Sequence, residues 1–145
     1  MFLLVQFLAG FKGEGKTRKI IEMANQNAKV TDGNLVFIDD DKRHIFDLHR
    51  DIRFVEARRG ELDNYREFVG FVLGILSQNS DIKHIYVDGL TNILAQSEEI
   101  IIIGEILQKL KSRLDTLPEL ENVDFTISVH CDKDKLPDDI KAVLV

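Results

Sequence analysis

The chain is predicted to fold as an α/β three-layer sandwich: a mainly parallel five-stranded sheet with helices on both faces. Short, nearly continuous apolar runs alternate over 145 residues with longer amphipathic stretches, the pattern left by strand–helix–strand crossovers. The runs LVFI, IYV and FTISV are apolar enough for strands covered on both faces. The first run, FLLVQFLA, passes through a glycine-rich turn into RKIIEMANQNA, which has helical spacing.

In order, the first strand is expected over Leu3–Ala9 and the first helix from Lys16 to about Ala28. A second strand covers Leu35–Asp39. A helix is expected from Lys42 to about Arg50, its start favoured by the charges of Asp39, Asp40 and Asp41. Arg53–Glu56 reads as a short strand. The next helix runs from Tyr65 to about Gln78, where Asn64 and Glu67 have capping-box spacing. His84–Asp88 follows as a strand. A long helix is expected from Glu98 to about Leu117, begun by Ser97 and stopped by Pro118. Asp124–His130 is the fifth strand.

Length and composition, with 44% hydrophobic and 30% charged residues, point to one hydrophobic core in a single domain. The 25 acidic residues against 19 basic give a net charge of −6, which argues against nucleic acid as a partner. A single cysteine, Cys131, excludes an internal disulfide and suits a reducing compartment. MFLLVQFLAG lacks the basic start and cleavage site of a signal peptide, and no run reaches membrane-spanning length. A cytoplasmic location without membrane contact is expected. The run Ile100 to Ile103 faces all directions on a helix, so part of it needs cover from the rest of the chain or from a partner subunit.

The turn GFKGEGKT carries the spacing G-x-x-x-x-G-K-T between a strand and a helix. Backbone N–H groups of Gly10, Phe11, Lys12, Gly13, Glu14 and Gly15, with those of Lys16, Thr17 and Arg18 at the helix start, would cradle phosphate. Lys16 would reach the β- and γ-phosphates, and the Thr17 hydroxyl would hold Mg²⁺. Asp88, ending the apolar run IYV, is the expected second metal residue.

GFKGEGKT, LVFIDDDKR, IYVDGL and FTISVH together resemble, in that order, the core of a RecA-like P-loop ATPase. The chain is also similar to small bacterial ATP-binding P-loop proteins. The resemblance implies a P-loop NTPase fold, ATP and Mg²⁺ as ligands, and Asp88 as the metal-linked acid. It implies a water-orienting carboxylate at Asp41, or at Asp40 if the register slips, and a γ-phosphate sensor at His130. Gly89 departs from the family members that carry a second acid directly after the metal-linked one. Lys12 is one residue out of register with the additional lysine of deviant-loop ATPases.

Other residues have plain alternatives. Asp41 also suits a first-turn helix charge, and His130 a strand-end histidine bonded to a loop. Arg58 and Arg59 could touch phosphate or a neighbouring subunit's nucleotide, or lie in solvent. His44, His49 and His84 have no metal-like spacing and are expected at the surface. CDKDK lacks the spacing of a guanine-reading motif, which leaves ATP ahead of GTP. A weak or partner-stimulated ATPase is the leading expectation. A nucleotide-dependent switch with little hydrolysis and a small-molecule kinase are the alternatives, and a homo-oligomer or a protein partner is compatible with all three.

Overall fold

The structure, a computed structural model, describes residues 5–10, 15–58, 61–79, 81–94, 99–113, 116–117, 122–132 and 134. Leu3, Phe11, Lys12, Gly13, Glu14, Arg59, Ser97, Glu98 and Pro118 fall outside these, as do the side chains of Ile100 to Ile103.

Five strands form one sheet: β1 (Val5–Gly10), β2 (Asn34–Asp39), β3 (Ile52–Glu56), β4 (Ile82–Val87) and β5 (Asp124–His130). Their order is β1-β5-β4-β2-β3, and every pairing is parallel. The helices are α1 (Lys16–Ala28), α2 (Tyr65–Gln78), α3 (Leu90–Ile93) and α4 (Glu99–Arg113).

Strand alternation sorts the core into two layers. Phe7, Val36, Ile38, Ile85, Val87, Phe125, Ile127 and Val129 pack with Phe68, Val69 and Val72 of α2, Leu90 and Ile93 of α3, and Ile106 and Leu110 of α4. Leu8, Leu35, Phe37, Ile52 and Tyr86 instead pack with Ile20, Ile21 and Ala24 of α1. Helices therefore cover both faces, and both faces of most strands are buried, as the apolar runs predicted. The first crossover carries the chain from β1 past two strand positions to β2 and the next goes one strand further to β3, whereas the last two carry it back toward β1. Right-handed connections running in opposite directions put their helices on opposite faces. In open parallel sheets, ligands bind outside the carboxyl ends of the strands near such a reversal.

Most expected elements form, with some differences. Residues 42–50 are not an α-helix; only a single 3₁₀ turn, Ile45–Asp47, interrupts turns and bends. Competing local bonds explain this. The Asp41 carboxylate accepts from the Arg43 backbone N–H at 2.8 Å, and Asn25 of α1 grips both the Asp47 carbonyl (2.9 Å) and the His49 N–H (2.7 Å). Strand β4 begins earlier, at Ile82, and Asp88 lies just past its end. Leu117 is not helical, and α3 was not expected. The Asn64 cap forms, accepting from Arg66 N and Glu67 N, but Glu67 reaches back to the N–H of Asp63 rather than that of Asn64. No described helix is long and apolar enough to cross a membrane.

Candidate functional site

Side chains alternate along a strand, so residues two apart share a face. Phe37 and Tyr86 lie on the α1 face, and the same alternation carries Asp39, Asp88, Thr126 and Ser128 toward it. Helix α1 starts beside the carboxyl ends of these strands. The register brings Gly10 opposite His130 and Ile38 opposite Val87. The start of α1, with Lys16 and Thr17, and Asp39, Asp88 and His130 thus all lie toward the carboxyl ends of the strands, with Asp39 and Asp88 close enough to interact electrostatically.

Helix α1 opens at Gly15, whose φ of +79° lies in the left-handed region. An added Cβ there would meet nothing within 4 Å, so the glycine serves conformation rather than clearance. The helix has no side-chain cap and no acid in its first turn. Lys16 Nζ donates to the Gly10 carbonyl at 2.6 Å, folding the ammonium back across the loop. The same carbonyl accepts the Cys131 N–H at 3.2 Å, tying the loop's base to the end of β5. Thr17 is half-buried. Arg18 is exposed and pairs with Glu22 at 3.3 Å along the helix.

Asp88 is buried, 6% exposed. Its N–H extends the sheet ladder to the Ile38 carbonyl (2.9 Å), and its Oδ1 accepts the Ser128 hydroxyl at 2.7 Å. Ser128 in turn accepts the Gly89 N–H at 2.7 Å. Gly89 caps α3 with φ +69°.

Asp39, Asp40 and Asp41 have ligand oxygens within 4.8 Å of one another, and their environments differ sharply. Asp39 is 4% exposed and accepts the Asp40 N–H at 2.7 Å. Burial, a side-chain bond to Asp40 and the charge of Asp88 push its carboxyl up to about 8. Asp41 sits at the rim, gripped by Arg43 at 2.7 Å, and that contact holds its carboxyl below the usual range. Among the described residues no cation pairs with Asp39 or Asp88 in an ion pair.

His130 is exposed at the end of β5, level with Gly10. Arg58 reaches outward to Glu56 at 3.5 Å. Cys131 is a buried thiol. His84, expected at the surface, is instead covered by α1. Its ring lies parallel to that of Tyr86, with centroids 4.1 Å apart, and desolvation pulls its pKa down to about 4. It borders a cleft of about 310 Å³ lined by Asn27, Thr31, Lys83, Asn122 and Asp124, at the opposite edge of the sheet.

Sequence reasoning singled out Asp41, by its place in the RecA-like resemblance, and passed over Asp39, whose burial next to Asp88 follows from the pairing of β2 with β4. It passed over Ser128 because FTISV looked uniformly apolar. The signal was there: Thr126 and Ser128 put two hydroxyls on one face of a fully buried strand. Compared with known proteins, the chain matches no protein-family model and none of the curated proteins.

Proposed function

We propose that the chain binds a magnesium nucleoside triphosphate, ATP in the first instance, at the carboxyl edge of its sheet, and hydrolyses it slowly or under a partner's stimulation. The way α1 begins carries this reading. Helix starts usually hold an acid and a side-chain cap against their positive end. This one has neither, and it sets Lys16, Arg18 and Lys19 there behind a left-handed glycine. Those cations oppose the helix dipole in the free protein, and an anion at the helix start reverses the balance.

The donors fit magnesium. Hard cations take oxygen ligands, and the candidates here are the Thr17 hydroxyl and the Asp88 carboxylate, with Asp39 buried close to Asp88. Asp39 also belongs to a carboxylate cluster with Asp40 and Asp41, whose oxygens lie within 4.8 Å of one another. Bound Mg²⁺ supplies charge neutralisation across the phosphates. The chain's own part would be positioning: loop amides and Lys16 would hold the phosphates, Asp41 would orient water, and His130 is the candidate γ-phosphate sensor.

Titration calorimetry with MgATP tests the site. Lys16→Ala is expected to weaken binding by at least about tenfold, roughly 1.4 kcal/mol. Unchanged affinity in that variant rejects the assignment.

A switch with little hydrolysis is the second reading. Two observations favour it: Gly89 follows Asp88 and caps α3, and Arg43 engages the Asp41 carboxylate. Tight ATP binding with phosphate release at background supports the switch over the enzyme.

A further inference from the structure

Ser128 is 1% exposed in the middle of the sheet, between Ile127 and Val129. A buried hydroxyl is costly unless it both donates and accepts. Ser128 does both, at 2.7 Å each way, to Asp88 Oδ1 and from the Gly89 N–H. One oxygen therefore ties the carboxylate to the backbone where the chain leaves β4. Asp39 stands on the other side of Asp88, because β4 lies between β5 and β2. The hydroxyl draws Oδ1 toward β5 and away from the competing carboxylate on β2. Among the described residues, this is the side-chain hydrogen bond that holds the Asp88 carboxylate.

We infer that Ser128 is the positioning residue of the metal-linked carboxylate: by bridging Asp88 Oδ1 and the Gly89 N–H, it sets the orientation in which Asp88 serves magnesium. The inference rests on the proposed reading of Asp88. Outer partners of metal-binding carboxylates commonly contribute 10- to 100-fold in metal affinity, and a buried hydrogen bond to a carboxylate is of the strong, charge-assisted kind.

The test uses the full chain with ATP and Mg²⁺ as probes. Thermal shift is followed as Mg²⁺ is titrated at fixed ATP, and ATP affinity is measured separately in EDTA. Ser128→Ala is expected to raise the Mg²⁺ concentration at half-effect by about tenfold or more, with metal-free ATP affinity unchanged. Ser128→Cys keeps the volume with a weaker donor, and its midpoint falls between the two. Should the alanine variant fail to fold, the cysteine variant decides alone. A Mg²⁺ midpoint equal to wild type in the variants, or an equal loss of ATP affinity in EDTA, overturns the inference and leaves the nucleotide site standing. A wild type without Mg²⁺-dependent ATP binding overturns the site and this inference together.

Discussion

Asp39 and Asp88 leave neighbouring strands at the same level: Ile38 pairs with Val87, and the Asp88 N–H donates to the Ile38 carbonyl. Both are buried, and burial together with the charge of Asp88 raises the cost of ionising Asp39. A buried carboxyl beside a second acid opposes folding once it ionises, and natural proteins tolerate such a cost chiefly where function needs it.

Asp39→Asn should therefore stabilise the free protein. The Asp39 carboxyl holds its proton to about pH 8, whereas the unfolded chain gives it up near pH 4. Between those values the folded state binds more protons, so this group's contribution falls as pH rises. The gap in melting temperature between Asp39→Asn and wild type should open from pH 4 to pH 8 and reach a few degrees. A variant that melts at or below wild type at pH 8 contradicts the account.

His84 acts in the opposite sense. Thr126 donates to Gln6, so it accepts from His84 Nε2–H at 2.7 Å, which leaves Nδ1 to accept from Asn27 at 3.4 Å. The network thus assigns a neutral ring, and a second proton on Nδ1 would face an amide donor. With a folded pKa of about 4 against about 6.5 unfolded, stability is complete above pH 6.5 and is lost as pH falls toward 4, by up to about 3 kcal/mol. Urea unfolding at pH 7 and pH 5 checks this. His84→Gln should be less stable at pH 7 and should lose less on acidification, and an equal loss in both proteins refutes it.

The α2 cap gives a prediction independent of any ligand. Asn64 accepts two otherwise unpaired N–H groups at 3.0 and 3.1 Å. Asn64→Ala should cost about 1 kcal/mol by chemical denaturation, and Asn64→Ser should restore most of it.

Much of this molecule was legible in residue order because local rules and packing agree. Strands buried on both faces read as apolar runs, Asn64 stood at a cap, and the glycine loop joined β1 to α1. The misreadings share a cause, since tertiary contacts decided them. Residues 42–50 had helix-like charge but meet Asn25, which lies 22 and 24 positions from its partners Asp47 and His49. His84 looked exposed because its cover, Asn27 and Tyr86, comes partly from α1. Asp39 and Asp41 are two residues apart with similar local sequence. Only the pairing of β2 with β4 makes one a buried neighbour of Asp88 and leaves the other at the rim.

That difference between Asp39 and Asp41 bears on the proposed hydrolysis. Arg43 holds the Asp41 carboxylate ionised, and its position at the rim leaves it within reach of solvent. An ionised carboxylate beside a bound nucleotide can orient water without contributing to phosphate affinity. Asp41→Ala should leave MgATP affinity unchanged and lower steady-state phosphate release by about tenfold or more. Arg43→Ala should keep release measurable, because the exposed acid stays ionised at neutral pH without its partner. If Asp41→Ala releases phosphate at the wild-type rate, the water-orienting role passes to Asp40, and Asp40→Ala in the same assay should show the loss.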